Sequence, residues 1–323
     1  MGLQRLKQGD TIGIISPSES IKGLEDMYQH GIKTLEELGY KVKVGKHAEN
    51  SYFYSAARPS ERLADIHEMF EDKEVKLILI SVGGDTANEL LEGLDYELIK
   101  RNPKMISGIS DATTILLPIY DKTGITAFYG PDLIFTFGQK DIPNEIKEQM
   151  FAAWSTGDFD ITPIDNLIDD NGKPVNEKWK CIREENVEGK IIVGHLDLVA
   201  ILYATRQIGT LKGKILCLES MGNTNIIHTW LQWLKILGVF DEIAGVILGY
   251  FPDLDANSKH FRDIEDLILE ITEGKEFPIL KINELGHCIW NYAWPIGSKM
   301  RLDATNCKIE ILENYFKNNF DKE

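Results

Sequence analysis

Three short apolar runs constrain the fold of this chain more than any other feature. TIGIIS (11–16), VKLILISVGGD (75–85) and KMISGIS (104–110) are strand-sized, almost wholly apolar, and closed by serine, glycine or aspartate. A strand that is apolar on both faces must be covered on both, which is the condition of a parallel sheet flanked by helices. The intervening segments supply the helices. Residues 22–39 carry Leu24, Met27, Ile32, Leu35 and Leu38 at helical spacing. SERLADIHEMFED (60–72) places Leu63, Ile66, Met69 and Phe70 on one face, with Ser60 as its cap. YKVKV (40–44) reads as a short alternating strand, and ANELLEGL and DATTILLPIYDKTG read as further helices ahead of ITAFYGP. The pattern is α/β, and ligands of such sheets bind beyond the carboxyl ends of the strands. Ser16, the Gly83–Gly84 pair and Ser110 fall at those ends.

Farther on, STGDFDITPIDNLIDDNGKPVNEK (155–178) is polar, turn-rich and aperiodic. It reads as an inter-domain connection. The expected organisation is therefore an N-terminal α/β domain over 1–155, a linker over 156–178 and a C-terminal α/β domain over 179–323. The second domain should contain VEGKIIVGHLDLVAILYA, KGKILCLES, the helix TNIIHTWLQWLKILG, AGVILGYF and a helix near 262–272. Its tail, RLDATNCKIEIL, alternates like paired strands.

Composition excludes several classes. With 43% hydrophobic and 27% charged residues in 323, the chain has the make-up of a soluble globular protein. A formal net charge of −16 opposes binding to nucleic acid or an anionic membrane, though not to a small nucleotide in a local pocket. Cys181, Cys217, Cys288 and Cys307 form no CxxC pair, and reduced thiols in the cytoplasm are expected. The apolar run within MGLQRLKQGDTIGIISPS is too short for a signal peptide or a membrane span. No metal is expected: His67–Glu68 lacks a second histidine at zinc-helix spacing, and FPDLDANSKHFRD lacks the glycine and terminal glutamate of a calcium loop. No cofactor is expected either, since neither GxGxxG nor GxxxxGK[ST] occurs in the expected places. VGGDTANELL resembles the GGDGT-N-E turn of the NAD kinase and diacylglycerol kinase group, but without the glycine after Asp85. A nucleotide-binding phosphotransferase is the alternative that this segment supports.

Three residues carry the candidate chemistry. Ser110 sits in SGISDATTILLP between a strand and a helix, where it is either a helix cap or a nucleophile on a tight turn. A serine nucleophile needs a base, and the base needs a group to fix its tautomer. Glu219 closes the strand KGKILCLES, where it is either a helix-start carboxylate or part of a site. His287 lies in ELGHCIWNYAWPIG, a glycine-flanked loop dense in aromatics, and is either structural or the base.

Taken together, four blocks resemble the LD-carboxypeptidase / microcin C immunity-protein family of serine peptidases. They are LKQGDTIGIISPS, the stretch from SVGGDTANELLEGL through KMISGISDATTILLPIYDKTGITAFYGP, EGKIIVGHLDLV with KGKILCLES, and LGHCIWNYAWPIGSKMRLDA. The resemblance covers essentially the whole chain. It implies a Rossmann- or amidotransferase-like parallel-sheet domain, a mixed α/β domain, and an active site at their interface. It makes Ser110 the nucleophile, His287 the general base and Glu219 its orienting partner. An oxyanion hole would come from the backbone N–H of Asp111 and from the turn at Gly84 and Asp85. Homodimerisation is likewise implied by the resemblance alone.

Within the family, murein LD-carboxypeptidases show GGYG and an arginine-bearing helix, whereas the immunity-like branch shows GG, small polar residues and asparagine. GGDTANELL, with Asn88, resembles the second. That branch is similar to enzymes that cleave peptidyl or aminoacyl nucleotides and their sulfamoyl mimics, with a tryptophan stacking on the base. Trp179 stands near that place; stacking or simple packing fits it equally. Two departures bear on substrate contacts. His195 stands in VGH where the family has Gly-Gly-Asn, and CIWNYAWPIG carries Trp290 and Trp294 after His287. The expected substrate is a small peptide or peptidyl-nucleotide, with murein tetrapeptide trimming as the alternative. A two-lobed binding protein without activity is the remaining possibility.

Overall fold

A computed structural model of the chain describes residues 3–169, 172–175, 178–252 and 261–316. Most of the acidic stretch weighed above as a calcium loop, 253–260, lies outside the described residues. The chain forms two compact units. The first holds the chain up to Phe159, Tyr292–Gly297 and the chain from Asn314; the second holds Asp160–Asn291 and Ser298–Glu313.

In the first unit, β1 (Thr11–Ile15), β2 (Lys41–Val44), β3 (Val75–Ile80), β4 (Met105–Gly108) and β5 (Phe128–Tyr129) form a parallel sheet in the order β2-β1-β3-β4-β5. Because β2 lies on one side of β1 and β3 on the other, the chain reverses its direction of travel there. The switch point of the sheet therefore lies between β1 and β3. The helices are α1 (Glu25–Glu37), α2 (Pro59–Glu71), α3 (Tyr96–Arg101), α4 (Thr113–Thr123) and α5 (Asn144–Ser155). Ile12, Ile14, Leu77, Ile78, Leu79, Ile80, Met105 and Ile106 are inaccessible to solvent, as expected of strands covered on both faces.

Three local expectations are corrected. Helix α2 starts at Pro59, whose missing N–H costs nothing in a first turn, and the N–H of Arg58 donates to Glu61 Oε2 at 3.0 Å; Ser60 is not the cap. Its buried stripe is Arg62, Asp65, Ile66, Met69 and Phe70, with Leu63 only half-buried. ANELLEGL forms a single 3-10 turn, Ala87–Leu90, because Asp95 already begins α3 by accepting the N–H of Leu98 at 2.8 Å.

In the second unit, β6 (Lys180–Arg183), β7 (Asn186–His195), β8 (Ile215–Glu219), β9 (Gly245–Leu248) and β10 (Ile279–Lys281) are joined by α6 (Leu196–Ala204), α7 (Thr224–Ile236) and α8 (Ile264–Ile271). The chain then gives β11 (Trp294–Pro295) to the first unit, antiparallel to β5, before β12 (Lys299–Asp303) and β13 (Lys308–Ile311). The sheet order is β13-β12-β7-β8-β9-β10-β6, with β7 through β10 parallel and the others antiparallel. The alternating tail makes the β12–β13 hairpin. The segment expected as a linker joins the second unit from Asp160, where Ile161 bridges Ile309 and Asp169 bridges Ile289. The C-terminal half is thus interrupted rather than continuous over 179–323.

Candidate active site

Ser110 follows β4 on a turn whose backbone is strained. Its φ is 64°, in the left-handed region that disfavours a side chain, at a cost of about 1–3 kcal/mol. Several contacts hold it there. The Ser110 N–H donates to Tyr129 Oη at 3.0 Å, and Thr113 Oγ1 donates to the Ser110 carbonyl at 2.7 Å. No side chain caps the 3-10 turn Ser110–Ala112 or α4. The N-cap positions are Ile109 and Ala112, so Ser110 is not a cap but the first residue of the 3-10 turn, half-buried. A Cβ built on Gly83 would lie 2.7 Å from Ser110 Cβ and 3.1 Å from its Oγ, so only glycine fits beside it. Gly84, with φ 133°, packs against Ser18 and Glu19 so closely that a Cβ would meet Ser18 Oγ at 2.6 Å. Asn88 is exposed on the following turn.

Behind Ser110 lies a buried polar network that sequence reasoning missed. Asp111 Oδ2 accepts from Ser18 Oγ at 2.5 Å and from the Ala87 N–H at 2.8 Å, while Oδ1 accepts from Thr114 Oγ1 at 3.1 Å. Burial nevertheless dominates and pushes the Asp111 carboxyl above its ordinary range. Arg62 donates to the Pro17 and Thr86 carbonyls and pairs with Glu89. The loops after β1, β3 and β4 are thereby tied to one another. The available signal was Arg62 itself, one helical turn from Ile66 on an apolar face.

In the second unit, Glu219 ends β8 with no solvent exposure. Its Oε2 accepts the backbone N–H of His287 at 3.1 Å and the ring Nδ1–H at 2.7 Å. A carboxylate can only accept from the ring, so in the neutral imidazole the proton sits on Nδ1 and the lone pair on Nε2. Glu219 is therefore no helix-start residue; α7 begins later, at Thr224. The histidine loop is fixed by Asn291, which accepts from the Gly286 N–H at 2.7 Å and donates to the Gly286 carbonyl at 2.8 Å. Gly286, at φ 143°, has the Tyr250 carbonyl 2.6 Å from where a Cβ would stand. His287 is thus placed by its loop and oriented by Glu219.

His195 ends β7 in register with Glu219, and its ring lies 5.3 Å from that of His287 at 82°. Trp179 is buried, and its indole N–H donates to Glu284 Oε2 at 2.6 Å, which uses its polar edge for packing inside the second unit.

An α/β protein with a serine on a strained strand-to-helix turn, and a histidine held by a buried glutamate, has the parts of a serine hydrolase. The chain belongs to the LD-carboxypeptidase family of serine peptidases. Residues 12–130 match the LD-carboxypeptidase N-terminal domain and residues 188–302 the C-terminal domain. It is 30% identical to the microcin C7 self-immunity protein MccF of Escherichia coli, over 96% of this chain and 95% of that one. It is 29% identical to the probable murein peptide carboxypeptidase of Bacillus subtilis (strain 168), over 95% and 93%. Among solved structures, MccF in complex with aspartyl sulfamoyl adenosine matches with a TM-score of 0.91 at 28% identity, covering 98% of this chain and 99% of that one. The VGGDTANE segment falls inside the first family match. No helix among the described residues is long and apolar enough to cross a membrane.

Proposed function

We propose that the chain is a cytoplasmic, homodimeric serine amidase that cleaves the amide bond of peptidyl or aminoacyl nucleotides and their sulfamoyl-adenylate mimics. Ser110 is the nucleophile, His287 the base and Glu219 its orienting carboxylate. The observation that carries this reading is the double grip of Glu219 on His287, which leaves Nε2 as the proton acceptor.

Chemistry follows from that tautomer. His287 Nε2 takes the Ser110 proton as the oxygen attacks the amide carbonyl carbon. The oxyanion is met by the backbone N–H of Asp111 and one from the Gly84–Asp85 turn, donors worth about 3 kcal/mol each. The imidazolium, stabilised by Glu219, then protonates the leaving nitrogen as the C–N bond breaks. Water attacks the acyl-enzyme, gives its proton to His287, and releases a carboxylic acid with Ser110 restored. Asn88, His195 and Trp179 are assigned to substrate contact, Trp179 by a ring face because its N–H is committed to Glu284.

Similarity to a structure that holds aspartyl sulfamoyl adenosine supports this substrate class. A second reading, removal of the terminal D-alanine from murein tetrapeptides, is favoured by the nearly equal identity to the murein peptide carboxypeptidase. Assaying aspartyl sulfamoyl adenosine beside an LD-tetrapeptide separates them. The expected result is faster cleavage of the adenosine compound and its loss in Ser110→Ala. Preference for the tetrapeptide would select the murein reading, and ATP-dependent turnover surviving Ser110→Ala would overturn both.

A further inference from the structure

Helix α7 carries two apolar stripes, and the packing of its own unit uses one. Thr224, Ile227, Leu231 and Leu234 are buried. Ile226, Trp230, Trp233 and Ile236 recur at i, i+4, i+7 and i+10 on a different face. Trp230 is half-buried, whereas Ile226, Trp233 and Ile236 are 47%, 48% and 62% exposed.

Topology sets what lies beside this second stripe. The order β7-β8-β9-β10 advances one strand at a time through α6, α7 and α8. Right-handed crossovers then put the three helices on one face of the sheet, with α7 packed between its neighbours. One flank of α7 is polar and turns toward α8: Arg262 holds the Glu270 carboxyl of α8 below its ordinary range, helped by His228 and Lys235 of α7. The apolar flank therefore turns toward α6, whose Ile201 is itself exposed.

Charge selects the occupant of this face. Of 323 residues 51 are Asp or Glu, and the net charge is −16. The 13 residues of α7 nevertheless include no carboxylate and a single lysine. Two copies of so acidic a chain repel each other, and an acid-free apolar face is where their approach is least opposed. A two-fold interface sets one patch against itself, which a neutral apolar stripe satisfies. From Ile226 to Ile236 the stripe runs about 15 Å. That length suits the centre of an interface of about 800 Å² per partner, with tryptophan as its anchor.

We infer that two copies of this chain associate through the exposed stripe of α7 together with Ile201 of α6, centred on Trp233. The inference rests on the homodimeric assembly proposed above and adds the surface that makes it.

Sedimentation equilibrium of the full chain tests it in wild type, Trp233→Glu, Ile236→Glu, Trp233→Ala and Phe53→Glu, the last altering an exposed aromatic of the first unit. Wild type is expected at twice 36.6 kDa, and to stay there in about 1 M NaCl because screening does not weaken an apolar contact. Each glutamate puts two charges into the contact, one per copy, and is expected to weaken association at least about 100-fold. Trp233→Ala, which adds no charge and guards against a misfolded variant, is expected to weaken it about 30-fold, and Phe53→Glu to leave it unchanged. A dimer indifferent to Trp233→Glu and Trp233→Ala, or one dissociated by salt, would overturn the surface and leave the assembly standing. A monomeric wild type would overturn both. Since no hydrolysis is read, either failure is separate from failure of the catalytic reading.

Discussion

His287 and Glu219 meet twice: one carboxylate oxygen accepts both the backbone N–H and the ring Nδ1–H of the histidine, at 3.1 and 2.7 Å. The second contact fixes the tautomer, and the first fixes where the ring begins. A carboxylate with no solvent exposure sits in a low-dielectric surrounding, where its effect on an imidazolium is stronger than at the surface. Glu219→Gln keeps an oxygen acceptor but removes the charge and permits the wrong tautomer. We expect kcat to fall by about 10^3- to 10^4-fold with the fold retained, as measured by steady-state hydrolysis beside circular dichroism. A loss below 10-fold would remove Glu219 from the mechanism.

Gly83 tests the turn around Ser110. Gly83→Ala sets a methyl 2.7 Å from Ser110 Cβ, against a residue already held at positive φ. The serine must shift, and a misplacement of about 1 Å costs about 100-fold in rate. The expected outcome is that loss in kcat/KM with little change in Tm. Wild-type kinetics would show that the contact does not position the hydroxyl.

Asp111 joins the loops after β1, β3 and β4. Replacing it by alanine removes three hydrogen bonds and leaves Ser18 and the Ala87 N–H to find other partners inside the protein. A loss of about 3 kcal/mol is expected in urea denaturation, with Asp111→Asn milder. A change under about 1 kcal/mol would mean that the network is not what holds these loops.

Asp132 gives a pH dependence with a definite sign. Its Oδ1 accepts from the Phe135 and Thr136 N–H groups, and burial pushes its carboxyl up to about 8. The folded chain therefore holds a proton that the unfolded chain releases near pH 3.9. Its contribution is complete below about pH 4 and is lost as pH rises through about 8. Wild type should lose about 3 kcal/mol more than Asp132→Asn between pH 5 and 8 in denaturant titrations. Parallel pH dependences of the two proteins would contradict this.

Much of the fold was legible because β1, β3, β4 and β8 are apolar on both faces and end in polar turns, a pattern set by local burial. Ser110, Glu219 and His287 are legible as polar residues at strand ends and in a glycine-flanked loop, whereas the positive φ of Ser110 and the Glu219–His287 contact depend on distant parts of the chain and are not. The return of β11 to the first unit was not legible, since two residues, Trp294 and Pro295, carry no periodicity and their partner lies far along the chain. Arg62 shares the buried face of its helix with Ile66, Met69 and Phe70, and the hydrophobic period of that face does not mark a cation as one of its members. A cation in an apolar stripe can be held by backbone carbonyls supplied from elsewhere, which no local pattern records.

The central claim is that Ser110 becomes covalently acylated with His287 as its base. Intact-mass analysis and peptide mapping after treatment with a fluorophosphonate test it most directly. The account predicts one adduct per chain on the Ser110 peptide, absent in Ser110→Ala and formed at least about 100-fold more slowly in His287→Ala. An adduct on another residue, or Ser110→Ala hydrolysing its substrate at the wild-type rate, would contradict it.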